Sequence, residues 1–175
     1  FSSGTLYDVH FIDSNKGWTV GSVGKIFKTT DGGSNWTDQS IGGAWLEGVF
    51  FIDENTGWAV GTSGKVIKTT DGGSNWTAQT SGLSDVSGST IRKVYFIDSN
   101  IGWICTHDGA IYKTSDGGSN WSFQKSVSAE IRKVHFIDSY NGWAVGFNGT
   151  ILKTTDGGSN WSTESSGVTG HLIDL

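Results

Sequence analysis

One hexapeptide governs what this chain can fold into. Asp31-Gly32-Gly33-Ser34-Asn35-Trp36 returns at positions 71–76, 116–121 and 156–161, so its tryptophans stand 40, 45 and 40 residues apart. A second block keeps step with it. Phe11-Ile12-Asp13 recurs at Phe51, Phe96 and Phe136, each followed by Gly-Trp at Gly17-Trp18, Gly57-Trp58, Gly102-Trp103 and Gly142-Trp143. Four in-phase copies make this a repeat protein before any other property is weighed.

Within one copy, four short β-rich runs are separated by turn residues. Leu6 to Ile12 is the first strand, Trp18 to Val20 anchors the second, Lys25 to Thr30 is the third, and Trp36 begins the fourth. The intervening segments Asp13-Ser14-Asn15-Lys16-Gly17, Gly21-Ser22-Val23-Gly24 and Asp31-Gly32-Gly33 carry the Gly, Asn and Asp that tight hairpins require. Four strands in a unit of about 40–50 residues is the signature of a propeller blade. Gly and β-branched residues interrupt every candidate helix. The expected fold is therefore all-β, a β-propeller of four-stranded antiparallel blades. Four repeats lie in this chain, which stands alone or as part of a larger or multi-chain propeller. The blades are expected at about 6–40, 46–80, 91–125 and 131–165 of a single domain spanning 1–175. Residues 171–175 begin a further first strand, with Leu172 matching Leu6 and Leu175 matching Val9.

The invariant positions have mechanical reasons. Gly supplies positive φ in the turn, and the preceding Asp accepts hydrogen bonds from the turn's own N–H groups. Asp31, Asp71, Asp116 and Asp156, with Trp36, Trp76, Trp121 and Trp161, are read as structural. Eight of nine tryptophans occupy the two template positions, as inter-blade core.

The block Val9-x-Phe11-x-Asp13…Gly17-Trp18-x-Val20-Gly21…Gly24-x-Ile26-x-Lys28-Thr29-Thr30-Asp31-Gly32-Gly33-x-x-Trp36 resembles the photosynthesis system II assembly/stability factor family. Its Asp-Gly-Gly turns are similar to the Asp-box, or BNR, repeat of sialidase-like propellers. The resemblance implies an extracytoplasmic or secreted, non-enzymatic propeller in which this turn is structural. It also implies seven blades and an arginine-rich patch, where this chain has four copies and two arginines, Arg92 and Arg132.

Composition narrows the partners. Net charge is -5, which argues against nucleic acid and an anionic membrane surface. No apolar run approaches the ~20 residues of a spanning helix. Cys105 is the single cysteine and stands where other copies have Val, as a small buried hydrophobe. With no Met, the chain is expected to be a processed product or a cut domain.

Variation concentrates on one rim, where the second-to-third-strand turns meet the blade connections. Ile41-Gly42-Gly43-Ala44-Trp45 answers to Leu83-Ser84-Asp85-Val86-Ser87, part of the insertion behind the 45-residue spacing. First strands begin differently, with Tyr7-Asp8, Glu47-Gly48, Arg92-Lys93 and Arg132-Lys133. The turns differ too, with His107-Asp108 and Phe147-Asn148 in the third and fourth copies. Trp45 is the one tryptophan outside the template. Trp45, Tyr7, Glu47, Arg92, Lys93, Arg132, Lys133, His107, Asp108 and Phe147 are the candidate binding residues. Aromatics beside Arg and Lys make binding surfaces. The competing reading has Trp45 capping its strand and the basic pairs bonded to Glu47 or Glu130.

No catalytic residue, cofactor or metal is expected. Two arginines fall short of a sialidase carboxylate cluster, and Glu47, Glu54, Glu130 and Glu164 share no pairing pattern. Gly24-Lys25 and Gly64-Lys65 are not P-loops, because Thr19 and Ala59 stand where the first glycine must. Five Asn-x-Ser/Thr sites begin at Asn35, Asn75, Asn120, Asn148 and Asn160, four of them within the turn template. Three functions follow. One is a non-catalytic scaffold binding protein partners; another is an extracellular structural subunit self-associating through its chain ends into a ring or fibre. The last is a glycan-binding or sialidase-like module.

Overall fold

The computed structural model describes residues 4–79, 83 and 88–174. These residues form four antiparallel sheets of four strands. The first sheet holds β1 (Leu6–Phe11), β2 (Gly17–Gly21), β3 (Ile26–Thr29) and β4 (Thr37–Asp38). The second holds β5 (Leu46–Phe51), β6 (Gly57–Gly61), β7 (Val66–Thr69) and β8 (Thr77–Ala78). The third holds β9 (Ile91–Phe96), β10 (Gly102–Thr106), β11 (Ala110–Thr114) and β12 (Ser122–Ser126). The fourth holds β13 (Ile131–Phe136), β14 (Gly142–Gly146), β15 (Ile151–Thr154) and β16 (Ser162–Glu164). Each sheet is a meander in sequence order, a blade. Fourth strands start one residue after the template Trp, which remains in the turn. Residues 171–174 pair in no strand, although the Leu172 N–H donates to Gly146 O at 3.0 Å. Ser84 to Ser87 of the insertion lie outside the described residues, and Leu83 is buried.

The core sits between blades. Trp18, Val20 and Ile26 of the first blade meet Leu46, Val49, Phe51, Ala59 and Ile67 of the second, and two further junctions repeat this clustering. At each junction a Gly-Trp indole lies face to face on the next blade's Phe. Trp18–Phe51, Trp58–Phe96 and Trp103–Phe136 have ring centroids 3.6, 3.6 and 3.5 Å apart, within 10° of parallel. The indole N–H of each donates to the carbonyl of the next blade's Gly72, Gly117 or Gly157, at 3.1, 2.9 and 3.2 Å. The Trp of the Asp-Gly-Gly turn closes the sandwich edge-on, as Trp76 does against Phe51. The Gly before each Gly-Trp indole is obligatory here. A Cβ on Gly57 would lie 2.5 Å from the Phe51 ring.

The repeated turn is a closed hydrogen-bond set. Thr69 Oγ1–H donates to Asp71 Oδ1 at 2.8 Å and accepts from the Gly73 N–H at 2.9 Å. Asn75 donates through N–H and Nδ2 to the two Asp71 oxygens, each at 2.8 Å. Gly72 and Gly73 take φ of 71° and 93°, the left-handed backbone for which Gly is needed. The copies at Asp31, Asp116 and Asp156 are bonded the same way. The Gly72 N–H also reaches Asn55 O in the turn after the first strand, so these two turns share a rim. On the other rim the Gly64 N–H reaches Ser89 O in a blade connection.

Two outcomes follow. The Asn75 side chain, then the backbone, hold the Asp71 carboxyl below its ordinary range, and Asp31 and Asp116 behave alike. A carboxyl lowered on folding stabilises above its unfolded pKa, and that contribution disappears as pH falls through the folded value. Melting temperature is expected to drop below about pH 4, with a shallower slope for Asp71→Asn; equal slopes would contradict this. Val23 occupies left-handed backbone at φ 57°, where β-branching is costly, and is exposed. Val23→Asn should stabilise by about 1 kcal/mol and raise Tm by about 2–4 °C. An unchanged melt would show that the turn carries no strain.

Candidate functional site: a charged mouth on the inner wall

The first strands β1, β5, β9 and β13 pack side by side and line the inner wall. Each carries a β-bulge near its start, between Leu6 and Asp8, Leu46 and Gly48, Ile91 and Lys93, and Ile131 and Lys133. A bulge sets two residues against one and re-aims a side chain. Tyr7-Asp8, Arg92-Lys93 and Arg132-Lys133 thereby bring both members of each pair to one mouth. The resulting cavity, about 270 Å³, is lined by Tyr7, Asp8, Glu47, Arg92, Lys93, Arg132, Lys133, Ile173 and Asp174.

The structure thus brings together six of the ten candidate residues: Tyr7, Glu47, Arg92, Lys93, Arg132 and Lys133. Trp45 stands beside them, half-exposed, its ring 6.0 Å from Tyr7 and 28° from parallel. His107 joins from the β10–β11 turn, with Nδ1 3.0 Å from an Arg92 NH2 and 2.9 Å from Glu130 Oε2. Phe147 lies further out, under the Arg132 guanidinium at 5.6 Å and stacked on His171 at 3.8 Å. Asp108 is exposed in its turn and is not among the residues that line the cavity.

Every cation at the mouth faces a carboxylate. Arg92 donates to Glu47 Oε2 at 3.2 Å, and its Nε lies 2.8 Å from Glu130 Oε1, at an angle too bent for a hydrogen bond. Arg132 donates to Glu130 Oε1 at 2.6 Å. Lys93 meets Asp8 Oδ2 at 2.5 Å, and the same oxygen accepts the Val49 N–H at 2.8 Å. Lys133 pairs with Asp174. Burial alone would push the Glu130 carboxyl up. The Arg132 hydrogen bond and the charges of Arg92, Arg132 and His107 outweigh it and hold the group below its ordinary range. Lys133 is pushed below the ordinary lysine range by burial and by the neighbouring Lys93.

Below the charged layer runs a ladder of rings. His10, Phe50, Tyr95 and His135 hold the same position in the four first strands, with successive centroids 4.6, 5.0 and 4.8 Å apart. Tyr95 OH donates to Phe136 O at 2.7 Å. His10 Nε2 lies 3.0 Å from Phe51 O, which can only accept, so that nitrogen carries the proton. Burial lowers the His10 and His135 pKa values. This ladder and the Asp174 contact escaped the sequence reading. The signal was present, since His10, Phe50, Tyr95 and His135 stand one residue before each template Phe.

The arrangement suits ion-pair exchange more than proton transfer. A general acid needs a raised pKa, and Glu130 is driven the other way. Among the described residues, no three His, Cys, Asp or Glu side chains converge as a metal site. The Cys105 thiol is buried and pushed up to about 12, which keeps it protonated and inert.

Comparison with known proteins places the fold and the family. No curated protein matches the chain. A solved structure of YCF48 bound to D1 peptide is similar over 92% of this chain and 82% of that one, at 19% identity and a TM-score of 0.63. The GH74 enzyme of Niastella koreensis is similar over 90% of this chain and 30% of its own, at 18% identity and a TM-score of 0.71. The designed protein Ika8 is similar over 96% of this chain and 51% of its own, at 13% identity and a TM-score of 0.75. At these identities the likeness establishes the fold, a BNR-type propeller arc, and leaves activity open. The family model described as photosynthesis system II assembly factor YCF48 matches residues 2–126, and the chain belongs to that family.

Proposed function

We propose that this chain is a non-catalytic propeller scaffold that binds an extended acidic segment of a protein partner at the mouth formed by Arg92, Lys93, Arg132 and Lys133. One observation carries the reading. Residues Ile173 and Asp174 already lie in the cavity as a segment outside the strands, with the Asp174 carboxylate on Lys133. This contact supports a mouth that holds a peptide carboxylate from a partner in the same way. Peptide binding by the related YCF48 supports the same reading, as does membership of an assembly-factor family. An extracytoplasmic location belongs to this proposal and draws only on the resemblance of the repeat block to the assembly/stability factor family. A glycan ligand draws only on the Asp-Gly-Gly turn, whose carboxylates are occupied within the turn itself.

A second reading, self-association through the ends of the arc, is favoured by a different observation. The apolar side chains Leu6, Val9 and Phe11 of β1 are exposed, whereas their counterparts in the other blades are buried.

The leading reading is tested with a labelled synthetic peptide containing Leu-Ile-Asp-Leu, followed by fluorescence anisotropy. Asp174→Asn should vacate Lys133 and tighten binding about fivefold, a gain on the order of 1 kcal/mol. The double variant Lys93→Glu/Lys133→Glu should weaken it at least about tenfold. Affinity that ignores both substitutions would refute the site.

A further inference from the structure

The residue just before each first strand does one backbone task. Its carbonyl accepts from the N–H that opens the turn after the second strand. Thr5 accepts from Ser22, Trp45 from Thr62, Thr90 from His107 and Glu130 from Phe147, at 2.8, 2.9, 2.8 and 2.9 Å. These four residues therefore hold one equivalent place on the rim of the mouth. Thr fills it in the first and third blades, so the backbone contact requires no ring there.

Two blades put a large side chain at this place, with opposite outcomes. The Glu130 side chain is 7% exposed and buried on Arg92, Arg132 and His107. Trp45 stays 49% exposed, whereas Trp18, Trp58 and Trp103 are fully buried. A large apolar ring stabilises a fold through burial, and Trp45 forgoes about half of it. Its position is nonetheless fixed. The Trp45 N–H donates to Thr62 Oγ1 at 3.1 Å, while its carbonyl accepts from the same residue. The Tyr7 ring of the first blade lies 6.0 Å away, 28° from parallel, and is itself 38% exposed. The pair forms a platform across the first junction, set in place before any ligand arrives.

The platform is continuous with the charged mouth, because Tyr7 lines the same cavity as Arg92, Lys93, Arg132 and Lys133. Its neighbours decide what it takes. Ring faces carry negative potential, so a partner's carboxylate goes to the cations and not onto the rings. A partner's cation would suit a ring face, but the adjoining carboxylates Asp8 and Glu47 are already paired with Lys93 and Arg92. An uncharged flat side chain remains, one that both rings can cover by stacking.

We propose that Trp45 and Tyr7 are specificity-determining residues of the mouth, which receive an aromatic side chain of the partner segment beside its acidic residue. The inference rests on the peptide-binding reading of the mouth and adds a second residue type that the partner must carry. The rings select the aromatic, and the lysines and arginines select the carboxylate.

Fluorescence anisotropy on the full chain tests this with labelled peptides that carry one Asp and, at each neighbouring position in turn, Phe or Ala. The best Phe peptide should bind about tenfold tighter than its Ala counterpart. Trp45→Thr installs the residue type of the first and third blades, so folding is spared. It should cut the preference to about twofold or less and leave the Ala peptide unchanged. Trp45→Phe keeps a ring and should keep most of the preference. Equal losses for both peptides in Trp45→Thr would mean a structural role and overturn the assignment. Equal binding of Phe and Ala peptides by the native chain, both still weakened by Lys93→Glu/Lys133→Glu, would overturn the platform and leave the charged mouth standing. Binding that ignores the lysine substitutions would remove mouth and platform together. Displacement of the peptide by cellotetraose, lost in Trp45→Thr, would overturn the aromatic occupant in favour of a sugar.

Discussion

The parallel stack of an indole on the next blade's phenyl ring is the contact on which this molecule depends. No blade can bury its own apolar side chains, since a four-stranded meander is a single layer. Each needs a neighbour, and the Trp–Phe pair with its indole-to-carbonyl hydrogen bond sets the distance and angle of that neighbour. The Gly before each indole, the Asp-Gly-Gly turn and the overlying lysine all serve the same junction. The Gly leaves room for the ring, the turn presents the carbonyl, and the lysine covers the outer face. The strict repetition of these residues follows from one contact made three times.

The inner wall is the counterpart to that regularity. Bulges at the start of β1, β5, β9 and β13 turn side chains that the junction does not need toward a shared mouth. There the copies diverge freely, into Tyr7, Glu47, Arg92 and Arg132. The proposed recognition uses these positions, where the stacking contact imposes no residue. The GH74 enzyme shares the fold, and the assembly factor shares the family, so the fold alone selects neither.

Much of this was legible in the chain. Repeat spacing, turn chemistry and the Phe-Gly-Trp triplet specified four-stranded blades and a core between them. The placing of Arg92-Lys93 beside Arg132-Lys133 followed from their equal positions in adjacent repeats. The four residues line one cavity, with Arg92 and Arg132 bonded to Glu47 and Glu130 and with Lys93 and Lys133 paired to Asp8 and Asp174. Contacts between distant positions were not legible. Lys93 with Asp8 spans 85 residues and skips a blade, which no local pattern encodes. Phe147 holds the place of His107 in the next repeat, yet only His107 reaches Glu130, while Phe147 lies under Arg132. Side-chain direction within a short turn depends on its neighbours, and those come from another blade.

The central claim is energetic, that the inter-blade stack and not the individual sheet holds the arc together. A double-mutant cycle on Trp58→Leu and Phe96→Leu, read by denaturant unfolding, addresses it most directly. If the stack governs, the two losses should be non-additive, with a coupling energy of about 1 kcal/mol or more between rings from different blades. Strict additivity would contradict the account, since it would mean that each ring contributes through burial alone.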